Sequence, residues 1–369
     1  MTDFTPHQDA ALKAVAAWLK EGPGAGGVPQ IFRLFGYAGT GKTTLARHLA
    51  EGVEGDVAFA AFTGKAALVM RAKGARDATT IHSLIYRPRD RDEEMPSFEL
   101  WDEAPVSKAK LIVIDECSMV DGELGRDLLS FGVPLLVLGD PAQLPPIQGG
   151  GFFTEAEPDA MLTEVHRQAK DDPIVRLSMA VREGETLAPG TYGESTVVPR
   201  AALDPQRVTE AGQVLVGRNA TRRAYNARMR ERRGFQEPLP QAGDKLVALR
   251  NNKKKGLFNG GLWTVIERRA RKSGVLALRI KPEDEPQART MRVTTRPECF
   301  TSGLAGLDWN QRKGHDEFDF GYVLTVHKAQ GSQWDDVCLF DESAAFPEAR
   351  ARWLYTGITR AAKKLTVVV

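Results

Sequence analysis

Residues 29 to 48, PQIFRLFGYAGTGKTTLARH, constrain this chain more than any other stretch. Ile31 to Phe35 is apolar except for Arg33 and reads as a short buried strand. It runs into Gly36-Tyr37-Ala38-Gly39-Thr40-Gly41-Lys42-Thr43, and a helix opens at Thr43-Thr44-Leu45. Strand, glycine loop and helix are the context in which the G-x-x-x-x-G-K-[ST] pattern binds a polyphosphate. Glycines 36, 39 and 41 let backbone N–H groups turn inward, and the helix N-terminus adds its positive end. Gly36, Gly39, Thr40, Gly41, Lys42, Thr43 and Thr44 are therefore assigned to a nucleoside triphosphate. Lys42 would reach the β/γ-phosphates, and the Thr43 hydroxyl would ligate Mg²⁺.

A chain of 369 residues is long for one domain and suggests two or three, and 42% apolar residues provide ample core. No run of about 18 apolar residues appears, so no membrane span is expected. The beginning, MTDFTPHQDAAL, is unlike a signal or transit peptide. Cys117, Cys299 and Cys338 are scattered without metal spacing and read as reduced thiols in a cytoplasmic protein. The formal charge is only +2, so any nucleic-acid surface must come from local clustering. Residues 245 to 281 hold eleven Lys/Arg and one acid, and residues 218 to 233 hold seven Arg and one acid. Two such segments favour a surface that tracks phosphates.

Along the chain, residues 3 to 20 carry a helix signal, with Thr5 as N-cap, Pro6 in the first turn, and Gln8 close behind. Val57 to Phe62 is an apolar strand ending in Thr63-Gly64-Lys65, and Thr79 to Leu84 is a polar loop opening a short helix. Residues 86 to 110 are polar apart from Phe98 and Trp101 and read as a small hairpin insertion with its tip near Asp90 to Pro96. Two aliphatic strands follow. Leu111 to Ile114 ends in Asp115-Glu116, and Pro134 to Leu138 leads to Gln143. Strands alternating with helices, with polar residues at strand C-termini, predict a doubly wound sheet with its ligand there. A second α/β unit begins near Leu162, with a strand at Gln213 to Gly217 and a basic helix at Thr221 to Arg233. Short β-like runs over 241 to 317 predict a small all-β barrel inserted in that unit. The α/β pattern resumes at Tyr322 and closes with a helix at Glu348 to Ala361 and a strand at Leu365 to Val369.

Phosphoryl transfer to water needs a metal ligand, a group that handles the water, and positive charge for the transition state. Asp115 fits the acid that holds Mg²⁺, Glu116 the base, and Gln143 a sensor of the γ-phosphate. Arg167 and Arg360 are candidate arginine fingers, although either alone would read as a surface charge. Phe98, Trp101, Phe258 and Trp263 can stack on bases, with barrel core the competing reading for Trp263.

Taken in order, GYAGTGKTT, FTGKAA, TTIHSL, LIVIDECSM, LLVLGDPAQLPPI, LTEVHRQ, LTVHKAQGSQWDDV and LYTGITRA resemble the successive motifs of superfamily 1 DNA helicases of the RecD-like and phage Dda-like branch. That resemblance implies two RecA-like P-loop domains with ATP between them. Residues 1–161 would form the first, with a 86–110 hairpin insertion that splits the duplex. Residues 162–240 and 318–369 would form the second, with an SH3-like β-barrel insertion at 241–317. Gln8 would recognise adenine, and Gln333 would meet the ribose where the family commonly has Glu. Thr63, Lys65, Thr80, His82, Thr325 and His327 would face DNA, and Phe98 would present its ring at the fork. The expected activity is ATP-dependent, 5′-to-3′ movement of a monomer on single-stranded and duplex-junction DNA, in the cytoplasm of a bacterial or phage-infected cell. An RNA-directed motor of the same superfamily and a single-strand translocase without strong unwinding are the alternatives. Lys42→Ala is expected to abolish ATP hydrolysis, measured as phosphate release.

Overall fold

The structure, a computed structural model, describes residues 4–24, 26–88, 98–145, 151–164, 171–252, 255–270, 274–283 and 287–369. The first sheet has the order Thr79–Thr80, Val57–Ala61, Leu111–Asp115, Leu135–Gly139, Ile31–Gly36, Ala160–Leu162, and every neighbouring pair is parallel. Leu111, Ile112, Val113 and Ile114 are all fully buried, as a strand covered on both faces requires. One face packs Leu34, Leu111 and Val113 against helices Pro6–Lys20 and Lys42–Glu51. The other packs Phe35, Ile112 and Ile114 against helix Gly122–Ser130. Thr5 and Gln8 cap the first helix reciprocally, each side chain taking the other's backbone N–H. The pairing of Leu162 with Gly36 carries the first sheet through Leu162, the residue at which the second unit was expected to begin.

The second sheet has the order Val323–Thr325, Gln213–Val216, Trp334–Phe340, Ala361–Val368, Ser195–Val198, Gly190–Tyr192. Its pairs are parallel except the last, which is antiparallel. Leu215, Leu339 and Val367 share a core with Ile174, Leu177, Trp353 and Tyr355, which come from helices Pro173–Arg182 and Arg350–Ile358. The opposite face carries helix Asn219–Arg232. The chain is thus an α/β protein of two RecA-like domains, and among the described residues no helix is long and apolar enough to cross a membrane.

Between Val216 and Val323 runs a five-stranded antiparallel sheet, ordered Met291–Thr295, Leu276–Pro282, Leu262–Ala270, Lys245–Ala248, Phe318–Phe320. Its last strand lies beyond residue 317, because Phe318 and Phe320 point inward and Asp319 between them does not. Trp263 is core here, 6% exposed, rather than a platform for bases. In the first domain, Tyr86–Pro88 and Phe98–Leu100 form a two-stranded antiparallel ribbon, and its expected tip falls outside the described residues. Trp101 packs on the first domain's core, whereas Phe98 is 60% exposed.

Half of the basic clustering is internally matched. Lys245, Arg250, Lys255 and Arg268 pair with Glu283, Glu317, Asp316 and Glu237, and Arg269 and Arg279 share Glu267. Four of those five acids lie outside residues 245 to 281, so a count confined to that run overstates its free charge. Lys253 and Lys254 lie outside the described residues. Arg230 is part of the fold itself. Its Nε and Nη2 donate to Asp244 at 2.9 Å each, and Asp244 also accepts from the Gln241 N–H and the Tyr322 hydroxyl. Asp244→Ala would strand a buried guanidinium, and urea denaturation is expected to show a loss of about 3–5 kcal/mol.

Candidate nucleotide cleft between the two domains

The loop after Ile31–Gly36 turns on Gly39 and Gly41, at φ 76° and 80°, where a side chain would be strained. A Cβ on Gly36 would fall 2.6 Å from Thr40 Oγ1 and 2.8 Å from Leu162 Cβ, so the loop is seated tightly on the sheet. Lys42 opens the following helix, and its Nζ donates to the carbonyls of Gly36 and Tyr37 at 2.6 and 2.9 Å. Thr43 Oγ1 donates to Asp115 Oδ2 at 3.0 Å, bringing the two expected Mg²⁺ ligands together. Asp115 Oδ1 accepts the Glu116 N–H at 2.8 Å. Glu116 sits at φ 53°, the one non-glycine residue in the left-handed region among the described residues. That conformation costs roughly 1–3 kcal/mol and turns its carboxyl back into the cleft beside Asp115.

From the second domain, Arg360 approaches Glu116 to 3.8 Å. Its guanidinium is held by the Thr356 and Ser332 carbonyls and the Thr359 hydroxyl at 3.0–3.2 Å, and it is 4% exposed. Burial pushes the Glu116 carboxyl above the usual glutamate range; Arg360 opposes this and Asp115 adds to it. Gln143 is buried, and its Oε1 has no partner among the described residues. Gly39, Lys42, Thr43, Asp115, Glu116, Gln143, Gln333 and Arg360 line one cavity. Arg167 lies outside the described residues. Three carboxylates, Asp115, Glu116 and Asp140, and three cations, Lys42, Lys73 and Arg360, line that cavity. Oxygen ligands on Thr43 and Asp115 and an inward glycine loop fit a Mg²⁺–triphosphate ligand, and the unpartnered Gln143 Oε1 can accept from a water beside it.

Gln8 lies beneath the loop: its Oε1 accepts the Thr5 N–H and its Nε2 donates to the Thr40 carbonyl, both near 3 Å. Thr63 and Thr80 cap the helices Gly64–Ala72 and Ile81–Ile85 through their hydroxyls. Thr325 Oγ1 accepts the Lys328 N–H at 3.3 Å. All three stand at or just past C-terminal ends of parallel strands, the edge that also carries the cavity. His82 is exposed between the rings of Phe62 and Tyr86. Lys65 is buried, 5.7 Å from the Trp334 ring centre. His327 packs on Phe346, and burial lowers its pKa, which favours a neutral ring. From the five-stranded sheet, Phe258 leans on the first domain so closely that a Cβ on Gly64 would meet its side chain at 2.4 Å.

Several residues that bind the domains together carry no separate signal in the sequence. The Tyr355 hydroxyl donates to Asp140 at 2.7 Å and accepts the Ala38 N–H of the loop at 2.9 Å. Thr356 Oγ1 accepts the Leu144 N–H, and Gln330 Nε2 donates to the Leu144 carbonyl, each at 2.9 Å. Arg182 stacks over the Tyr37 ring at 3.7 Å. Tyr355, Thr356 and Asp140 fall inside quoted motifs, and a polar residue set among buried apolar neighbours was the available clue.

Two expectations follow. Glu116→Gln keeps nucleotide binding but stops turnover, and wild-type hydrolysis is lost as pH falls through a pKa above the ordinary glutamate range, both read in an ATPase assay. Tyr355→Phe, which keeps the ring and removes two bonds across the cleft, lowers turnover about tenfold, since each bond is worth roughly 0.5–1.5 kcal/mol.

Comparison with known proteins follows the same lines. A family model described as an AAA domain matches residues 26–201, and one described as a UvrD-like helicase C-terminal domain matches residues 320–368. The ATP-dependent RecD2 DNA helicase of Deinococcus radiodurans is 28% identical over 358 residues, covering 89% of this chain and 45% of that protein. The ATP-dependent DNA helicase dda of Enterobacteria phage T4 is 32% identical over 198 residues, covering 50% of this chain and 43% of that protein. The chain thus spans less than half the length of either relative. In fold it is similar to Pif1 helicase from Bacteroides in complex with ADP-AlF3 and ssDNA, with TM-score 0.59, 18% identity, and 99% and 92% of the two chains covered. Pif1 helicase from Candida albicans gives TM-score 0.57 at 18% identity, with 100% and 94% covered.

Proposed function

We propose that the chain is an ATP-driven DNA helicase of the RecD/Dda/Pif1 type of superfamily 1, moving 5′ to 3′ on single strands, a reading its similarity to the RecD2 and dda helicases supports. The observation that carries this reading is Arg360 of the second domain, 3.8 Å from Glu116 of the first across the cavity. A nucleotide-binding scaffold needs no such pair, whereas a motor needs hydrolysis that depends on how the domains stand.

In this reading ATP with Mg²⁺ supplies the phosphoanhydride bond and the charge that the domains respond to. Thr43 and Asp115 would hold the metal, and Gly36, Gly39, Thr40, Gly41, Lys42 and Thr44 the phosphates. Gln8, with one amide hydrogen and one lone pair still open, would meet adenine, and Gln333 the ribose. Glu116 takes a proton from water at its carboxylate. Arg360, fixed by three acceptors, brings positive charge only when the second domain is in place, and Arg167 is assigned the same task. Gln143, one residue before Leu144, links the cavity to the backbone that Thr356 and Gln330 grip.

Thr63, Lys65, Thr80, His82, Thr325 and His327 are assigned to the DNA track. The hydroxyls of Thr63 and Thr325 accept a backbone N–H and would keep their own O–H to donate to a phosphate, whereas Thr80 is buried and shares its hydroxyl with Ser83. The 86–110 segment is assigned to strand separation, the sheet around 241–320 to an SH3-like barrel, and the working unit to a monomer. Separating strands costs on average about 1.4 kcal/mol of stacking per step, and an aromatic face restores roughly 1–3 kcal/mol per base. Phe98 offers the exposed ring.

The test is strand displacement on 5′-tailed against 3′-tailed duplexes, with ATPase stimulation by poly-dT against poly-U. Preference for 5′ tails and poly-dT is expected, and poly-U preference would favour the RNA-directed motor. Arg360→Ala should cut DNA-stimulated hydrolysis by on the order of 10³ while single-strand affinity holds. Phe98→Ala should keep most single-strand-stimulated ATPase and lose most unwinding, and equal loss of both would make the ring structural.

A further inference from the structure

Away from the cleft, the second domain carries a groove of about 230 Å³ between the segment 200–209 and helix Asn219–Arg232. Its floor is apolar, made by Leu203, Val208, Met229 and Phe340. These four belong to the core on the face opposite Trp353 and Tyr355, so the groove shares no residue with the nucleotide cavity. A small-molecule site usually offers roughly 300–1,000 Å³, so this one suits a single apolar side chain.

The rim decides what would bring that side chain. Arg200, Arg228 and Arg232 are exposed around it. Arg228 and Arg232 stand four apart on the helix, where like charges repel. Two other arginines of the same helix are matched within the chain, Arg222 with Asp319 at 2.6 Å and Arg230 with Asp244 at 2.9 Å, while Arg223 is exposed. The side chains of Arg228 and Arg232 have no hydrogen bond or ion pair among the described residues. Among the described residues no acid lines the groove, and the acids next to its lining residues in sequence, Asp204 and Glu210, are engaged locally. Asp204 accepts the Gln206 N–H, and Glu210 accepts the Gln206 side chain at 2.6 Å. Arg200 is held in place by the Tyr225 hydroxyl and lies over the Phe340 ring at 5.6 Å.

We propose that this groove docks an acidic peptide segment of a partner protein, with one bulky apolar side chain in the floor and its carboxylates on Arg228 and Arg232. Apolar floor and arginine rim are the composition that protein interfaces favour. A nucleic-acid strand would want the charges continuous and the floor flat, and here the positive groups ring a side-chain-sized hollow. The proposal stands apart from the motor reading.

The test uses the full chain and a fluorescent acidic heptapeptide with one central phenylalanine, followed by anisotropy. Saturable binding is expected, weakening as salt rises. R228E/R232E should weaken it by about tenfold or more while ATP hydrolysis without DNA is retained, since neither arginine lines the nucleotide cavity. On the peptide side, exchanging the phenylalanine for alanine should weaken it comparably, which tests the floor without altering the protein. No saturable binding, or equal affinity for R228E/R232E, would overturn the proposal. So would displacement of the peptide by a thymidine oligonucleotide whose own affinity falls in the same variant, since the patch would then belong to nucleic acid.

Discussion

A backbone N–H or carbonyl buried without a partner costs about 1–3 kcal/mol, and at Ala38 and Leu144 the partners come from the other domain. Ala38 belongs to the phosphate loop and Leu144 follows the Gln143 segment, so the two places where the first domain would meet a nucleotide depend on Tyr355, Thr356 and Gln330. The cavity is therefore not a gap between two finished surfaces. Its walls are completed by groups that leave if the domains part. Arg182 on the Tyr37 ring adds a contact at the same border.

Charge balance inside the cleft depends on the same arrangement. Burial raises the Glu116 carboxyl, and Arg360 is the first of the groups that hold it down. With the second domain displaced, Glu116 loses that cation while Asp115 and Asp140 remain. Parting the domains would also admit water to the carboxyl, so burial and Arg360, the two largest causes of the Glu116 shift, both respond to domain position. The left-handed backbone at Glu116 belongs to the same design, since strain of this kind persists only where the surroundings hold it.

Much of this was legible in the sequence where a short stretch carries its own physics. The glycine loop, the Thr5 N-cap and the aliphatic strand ending in Asp115-Glu116 are local patterns, and the structure has them where the residues predict, whereas the return bond from Gln8 to the Thr5 N–H was not foreseen. What needs distant partners was not. The arginines at 222 and 230 look like free charge until Asp319 and Asp244 arrive from other segments. The five-stranded sheet runs past residue 317 because Phe318–Phe320 pairs with Lys245–Ala248, a partnership no window contains. Tyr355 and Asp140 meet across 215 residues, so their bond is invisible to any reading of spacing. The pairing of Ala160–Leu162 with Leu34–Gly36, which holds Leu162 in the first sheet, likewise spans more than a hundred residues.

The strand Ala361–Val368 lies between Trp334–Phe340 and Ser195–Val198, well inside its sheet rather than at an edge. Synthesis makes it after everything it must join. The first domain has all its strands by Leu162 and can fold as the chain emerges. The second must hold Ser195–Val198 and Gln213–Val216 apart, with the five-stranded sheet made in the meantime, until Val368 is available. During that interval Val337, Leu339 and Val197 present unpaired, apolar strand edges, which are templates for misassociation. A lesion within Ala361–Val368 would therefore open the sheet at its interior rather than trim an edge.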